Sequence, residues 1–217
     1  LRRKNIPYRV YGGLSFYQRK EIKDLVAYLR LLVNENDSEA LLRVINYPTR
    51  GIGETTQNKL IVFADSQNVS LANVLDNLGI YAPHLGFNNG VISKLADFWS
   101  MIKAFQVMLK TENVYTVAME VAQRSGLIKF LKDDQTPEGI SRVENVQELM
   151  NSMQGFIEEQ QQLEDGDPSL SSFLENIALS TDQDKKSENE DQVSLMTIHL
   201  SKGLEFPVVH LVGLEEN

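Results

Sequence analysis

The sequence predicts a mainly α-helical protein: an all-helical body inserted into a small α/β layer that the two chain ends build together. Three observations carry this. Strand-like apolar runs occur only at the ends, at Ile6 to Tyr11, Val193 to Ile198 and Val208 to Leu214. Apolar residues between them recur at helical spacing, segment after segment. The two C-terminal runs are continuous and rich in β-branched residues, which suits strands buried on both faces of a parallel sheet.

In chain order, Ile6 to Tyr11 reads as a strand stopped by Gly12-Gly13. Ser15 and Gln18 have capping-box spacing and open a helix with Ile22, Leu25, Val26, Leu29, Leu32 and Val33 on one face. Asp37 or Ser38 caps a shorter helix that ends before Pro48. Pro48-Thr49-Arg50-Gly51-Ile52-Gly53 then turns the chain into a helix from Thr55 to about Gln67, a helix-hairpin-helix pattern. Its glycines permit positive φ and close backbone approach, and open N–H groups at the second helix's start suit a phosphate. Ser70 caps Leu71 to Leu78, with Gly79 as the terminating glycine. Tyr81 to Gly90 reads as a loop, with Leu85 to Gly90 as a degenerate second hairpin. Val91 to Leu109 buries Leu95, Phe98, Trp99, Ile102 and Phe105, and Val114 to Ser125 follows. Thr136-Pro137-Glu138 starts a helix striped by Ile140, Val143, Val146, Leu149, Met150, Met153, Phe156 and Ile157. Asp167-Pro168 starts the last helix, and Ser180 to Gln192, without an apolar residue, reads as a mobile linker.

Composition bounds the function. The chain has 217 residues and a net charge of −9, but the acid is concentrated. Between Glu158 and Asp191 stand eleven acids and two bases, whereas residues 1 to 60 hold eleven bases and six acids. The basic end is where phosphate is expected. Absence of cysteine excludes disulfides and thiolate metal sites, and His84, His199 and His210 are too dispersed for a metal set. No apolar stretch approaches the roughly 20 residues of a membrane span, so no membrane partner and a cytoplasmic location are expected. A chain that starts at Leu1 rather than Met is expected to be a piece of something longer.

Two blocks and the hairpin carry a family resemblance. Met196-Thr-Ile-His-Leu-Ser-Lys-Gly-Leu-Glu-Phe-Pro-Val-Val-His210 resembles motif V of the UvrD/PcrA/Rep group of superfamily 1 DNA helicases. Tyr11 to Arg30 is similar to that group's "GGxxFxxRxEIKDxxAYLR" pattern, and Thr49-Arg-Gly-Ile-Gly53 matches its "TRGIG". The resemblance implies a partial RecA-like domain 2A interrupted by a helical subdomain 2B. The expected divisions are 1–36 and 192–217 for 2A, 37–180 for 2B, and an acidic linker at 181–191.

It also implies roles. Glu205 and Gly203 are expected at the nucleotide, with Glu205 at the ribose. Thr197, His199 and Lys202 are expected beside single-stranded DNA, and Thr49, Arg50, Gly51, Ile52, Gly53 and Thr55 at duplex DNA. The implied whole is an ATP-dependent 3′-to-5′ DNA helicase of repair or replication, using ATP and Mg²⁺. Its partners would be a single-strand–duplex junction and the remainder of the helicase chain. This chain holds no phosphate-binding loop, no paired metal-binding acids and no arginine-bearing motif VI. No complete catalytic set, no bound cofactor and no ATP hydrolysis are therefore expected of it alone. The alternatives are a helicase–nuclease family member, or a non-enzymatic helical interaction module that binds through its acidic stretch.

Overall fold

The computed structural model describes residues 6, 8–10, 16–186, 193–196, 198 and 201–212. Strands β1 (Tyr8–Val10) and β2 (Val193–Leu195) pair in parallel, with Tyr8 opposite Val193 and Val10 opposite Leu195. The N-terminal strand thus meets a segment nearly the whole chain away, as the insertion pattern requires. The second C-terminal run departs from expectation. Among the described residues, 208–212 form no strand, and Val208, Val209, Leu211 and Val212 are exposed. A strand needs a neighbour for its N–H and C=O groups, and one buried on both faces also needs covering layers. The described residues supply neither to this run.

Helices α1 (Lys20–Val33), α2 (Ser38–Val44), α3 (Glu54–Gln67), α4 (Leu71–Asp76) and α5 (Leu78–Leu85) come first. They are followed by α6 (Asn89–Met108), α7 (Val114–Arg124), α8 (Leu127–Lys132), α9 (Pro137–Gln161) and α10 (Leu170–Lys186). The centre of this body is α1, which packs against α2, α6, α7, α9 and α10. Sequence periodicity marks one apolar face on it, yet Tyr28 and Leu31, off that face, are fully buried too, while Val33 is exposed. A helix enclosed on nearly all sides is a core helix. Each fully buried Ile or Leu on it contributes about 1.5–3 kcal/mol. Its polar groups are paired accordingly: Asp24 lies between Lys20 (2.8 Å) and Arg43 (2.7 Å). Glu21 accepts from Asn145 Nδ2 of α9, and Asn145 accepts in turn from Arg19.

Side-chain capping accounts for five of the helix starts among the described residues. Asp37, Ser70, Asn88, Asn113 and Thr136 each accept a hydrogen bond from the N–H three residues on. Ser15 lies outside the described residues; α1 begins instead behind a 3-10 turn at Phe16–Gln18, with Arg19 as an N-cap whose side chain makes no capping bond. The expected loop from Tyr81 is partly helical, because Leu78, Ala82 and Leu85 fall on one buried face and hold α5 together through Pro83. Gly79 therefore lies inside a helix rather than ending one, and Gly86, at φ +60°, is the residue that stops it. The last helix also outruns expectation. α10 reaches Lys186, well into the acidic stretch, because extending an existing helix needs no new nucleus.

Candidate nucleic-acid interface

The hairpin between α2 and α3 is built by one asparagine. Asn46 Oδ1 accepts from the N–H of Arg50 (2.9 Å) and of Ile52 (3.0 Å), which folds residues 46–52 into a closed turn. Asn is suited to this because its short side chain can mimic a backbone acceptor. Gly51, at the tip, has φ +75°, where an L side chain would be strained. Ile52 is fully buried and pins the turn into the helical core. Its carbonyl accepts from Gln57 Nε2 at 3.0 Å. α3 then starts at Glu54 behind Gly53, whose carbonyl accepts from Thr56 (2.9 Å) and Gln57 (3.1 Å).

This closure sorts the donors. The N–H groups of Arg50 and Ile52 are used internally, while those of Gly51, Gly53, Glu54 and Thr55 have no partner among the described residues. Thr49, Gly51, Gly53 and Thr55 are all exposed. The result is a short exposed row of N–H groups at the positive end of a 14-residue helix, chemistry suited to a phosphate oxygen. Glu54 in the first turn opposes this and keeps any such site weak.

Arg50 does not lie in that row. Its guanidinium turns inward, Nη1 donating to Val44 O (3.0 Å) and Pro48 O (3.1 Å). Nη2 donates to Tyr28 Oη (2.7 Å) and Ser125 O (2.7 Å). The group also stands 5.3 Å from the Phe98 ring centre and 5.8 Å from that of Tyr28. The fully buried Tyr28 hydroxyl donates to Tyr47 O. Burial pushes the Tyr28 phenol up to about 12, against the opposing pull of Arg50. On the solvent side of the turn the cation belongs to Lys94 of α6. Its Nζ lies 2.5 Å from where a Cβ on Gly51 would stand.

The second candidate region follows β2. Ser201 Oγ donates to Ile198 O (2.8 Å) and Leu204 N donates to Ser201 O (2.9 Å), forming a turn with Gly203 at φ +85°. Lys202 and Glu205 are exposed on either side of that glycine. Thr197 and His199 lie outside the described residues.

A family model described as the UvrD-like helicase C-terminal domain matches residues 1–217. The chain belongs to that family. Among curated proteins, it is similar to the "ATP-dependent DNA helicase PcrA" of Staphylococcus aureus, at 37% identity over 215 residues. The protein of the same name from Staphylococcus epidermidis is also 37% identical over 215 residues. In both, the match covers 99% of this chain and 28% of the relative. The chain thus spans just over a quarter of the length of the curated relatives it matches.

Within this UvrD-like domain, the sequence singled out the hairpin but not the residues that shape it. Asn46 stands two residues before Pro48, in a composition that suits an Asx-type turn. Lys94, Tyr28 and Ser125 carry no local signal, since only packing brings them to residues 50 and 51. Among the described residues no group of three metal-ligating side chains exists, and no helix is long and apolar enough to cross a membrane.

Proposed function

We propose that this chain is the part of an ATP-dependent 3′-to-5′ DNA helicase that meets the duplex ahead of the motor and completes the motor's second half. Strands β1 and β2 and the segment to residue 212 would belong to a RecA-like 2A domain. Residues 37–180 would form the 2B lobe, mounted on α1. The exposed apolar run Val208 to Val212 would then be a strand in the whole enzyme, covered by the remainder of the chain. ATP and Mg²⁺ would be held mostly by that remainder, with Gly203 shaping the turn that offers Glu205 to the ribose. Thr197, His199 and Lys202 would line the single-strand track. The enzyme would work in the cytoplasm.

The observation that carries the duplex contact is the donor sorting at the hairpin. Two N–H groups are consumed by Asn46, and the neighbouring open ones share the exposed side with Thr49 and Thr55. Backbone donors read no bases, so the contact would be independent of sequence. Thr49, Gly51, Gly53 and Thr55 would face the phosphates, with Arg50 and Ile52 holding the turn from within. The test is a pair of assays on the complete helicase carrying Gly53→Val, whose side chain fits the fold at φ −71° with open space around it but would stand between the open N–H groups and a phosphate. Forked-DNA unwinding should fall several-fold while single-strand-stimulated ATP hydrolysis stays near the parent value. Equal loss of both would place the hairpin in the motor, and unchanged unwinding would reduce it to a connector.

A further inference from the structure

We propose that Arg50 acts on the duplex only through the turn it holds, as a positioning residue, and that the cation brought to phosphate beside the turn is Lys94. The inference rests on the duplex-contact reading above and assigns its charge. A guanidinium has five N–H donors. Arg50 spends four of them on Val44 O, Pro48 O, Tyr28 Oη and Ser125 O. These acceptors belong to α1, to the end of α2, to the turn itself and to the C-cap of α7. One side chain thus ties the hairpin to the central helix and to α7. Presenting a two-pronged fork to a phosphate would break at least one of those bonds even with the free Nε–H as one prong, and would strand its acceptor, a loss that favours leaving the clamp closed.

Lys94 has the opposite situation. It is exposed, makes no ion pair or hydrogen bond among the described residues, and keeps all three ammonium donors open. Its Nζ stands over the face of Gly51 that a Cβ would occupy, so the glycine leaves both a backbone N–H and a cation on the solvent side. Lys59 of α3 leans instead toward the Phe87 ring, 5.6 Å from its centre. A backbone phosphate at the turn would therefore meet Lys94 as its counter-charge.

Salt titration of binding to a short blunt duplex separates the two roles, because the slope of log K against log salt counts phosphate-neutralising cations. The 217-residue chain serves, with melting by circular dichroism as the folding control. Lys94→Ala should reduce the slope by about one unit, with unchanged melting, and Lys94→Arg should restore it. Arg50→Ala should weaken binding and lower the melting temperature while changing the slope by less than about half a unit. Arg50→Lys should fail to rescue, since one ammonium cannot serve four acceptors. Tyr28→Phe loosens the same clamp without altering charge, and should weaken binding with the slope intact. A full-unit slope loss in Arg50→Ala with none in Lys94→Ala would overturn the assignment. So would parent-like binding in both clamp variants. Absence of any salt-dependent duplex binding by the unsubstituted chain would instead sink the duplex-contact reading itself.

Discussion

Tyr28→Phe tests whether the clamp under the hairpin contributes to stability as its geometry implies. Tyr28 is fully buried; its hydroxyl donates to Tyr47 O and accepts from Arg50 Nη2 at 2.7 Å. Phenylalanine fills the same space, so no cavity term arises, but Tyr47 O loses its donor and Arg50 loses one of four acceptors. Leaving a partly buried acceptor unpaired and removing one bond to a charged donor costs about 1–3 kcal/mol. For a chain of this size that lowers the melting temperature by roughly 2–4 °C per kcal/mol. The pH dependence adds a second signature. The phenol's ordinary value of 10.0 is raised to about 12 in the fold. Below pH 10 it is protonated in both folded and unfolded chains, and its contribution is fully present. As pH rises, the unfolded chain releases the proton first, so stability falls with pH and this contribution is lost as pH passes 12. Two units correspond to about 2.7 kcal/mol at most. Other tyrosines and lysines titrate alike in both proteins and cancel. Urea unfolding followed by circular dichroism should show Tyr28→Phe less stable near pH ~8 and the gap closing by pH ~11–12. A substituted protein within about 0.5 kcal/mol of the parent near pH ~8, or a gap independent of pH, would refute the clamp.

Gly53→Ser separates backbone approach from turn conformation. Gly53 has φ −71° with open space around its Cβ position, and serine is a better N-cap, so stability should hold or rise by a few tenths of a kcal/mol. Duplex binding should still weaken, because the new side chain occupies the approach and its hydroxyl competes for the open N–H groups; parent-like binding would remove the phosphate from this position. Ile52→Ala, at a fully buried site, should cost about 2–5 kcal/mol by denaturation, and a cost under about 1 kcal/mol would mean the turn is not anchored through it. Asp76→Ala removes the acceptor of Trp99 Nε1 (2.6 Å) and a partner of Lys103 (3.1 Å). Since Lys103 keeps Glu35 at 2.6 Å, the expected loss is about 1–2 kcal/mol, measured by the same unfolding curve. The chain alone should show no magnesium-dependent ATP turnover; turnover abolished by Glu205→Ala would overturn the reading of its missing phosphate site.

Local chemistry was enough for much of this protein. The caps at Asp37, Ser70 and Thr136 bond a backbone N–H only three residues away, and the stripe from Val146 to Phe156 reports a single helix's buried face. The UvrD-like family, too, was legible in the motif around Lys202 to Pro207 and in Thr49 to Gly53. The parallel pairing of the chain ends followed from that pattern, and β1 and β2 bear it out over three residues each.

Tertiary structure decided what depended on partners far along the chain. The sequence marks α1 as a one-faced amphipathic helix; its burial on nearly every side comes from α6, α7, α9 and α10, which arrive up to more than a hundred residues later. Val208 to Val212 has the composition of a buried strand, yet composition supplies neither a neighbouring ladder nor a cover. The hairpin makes the same point at the scale of one charge. Arg50 in Thr-Arg-Gly-Ile-Gly reads as a phosphate ligand because a cation beside glycines usually meets solvent. Its direction was set by four acceptors, among them Tyr28, 22 residues before it, and Ser125, 75 residues after. Residue order determines which groups are available, and only packing determines which of them are already satisfied.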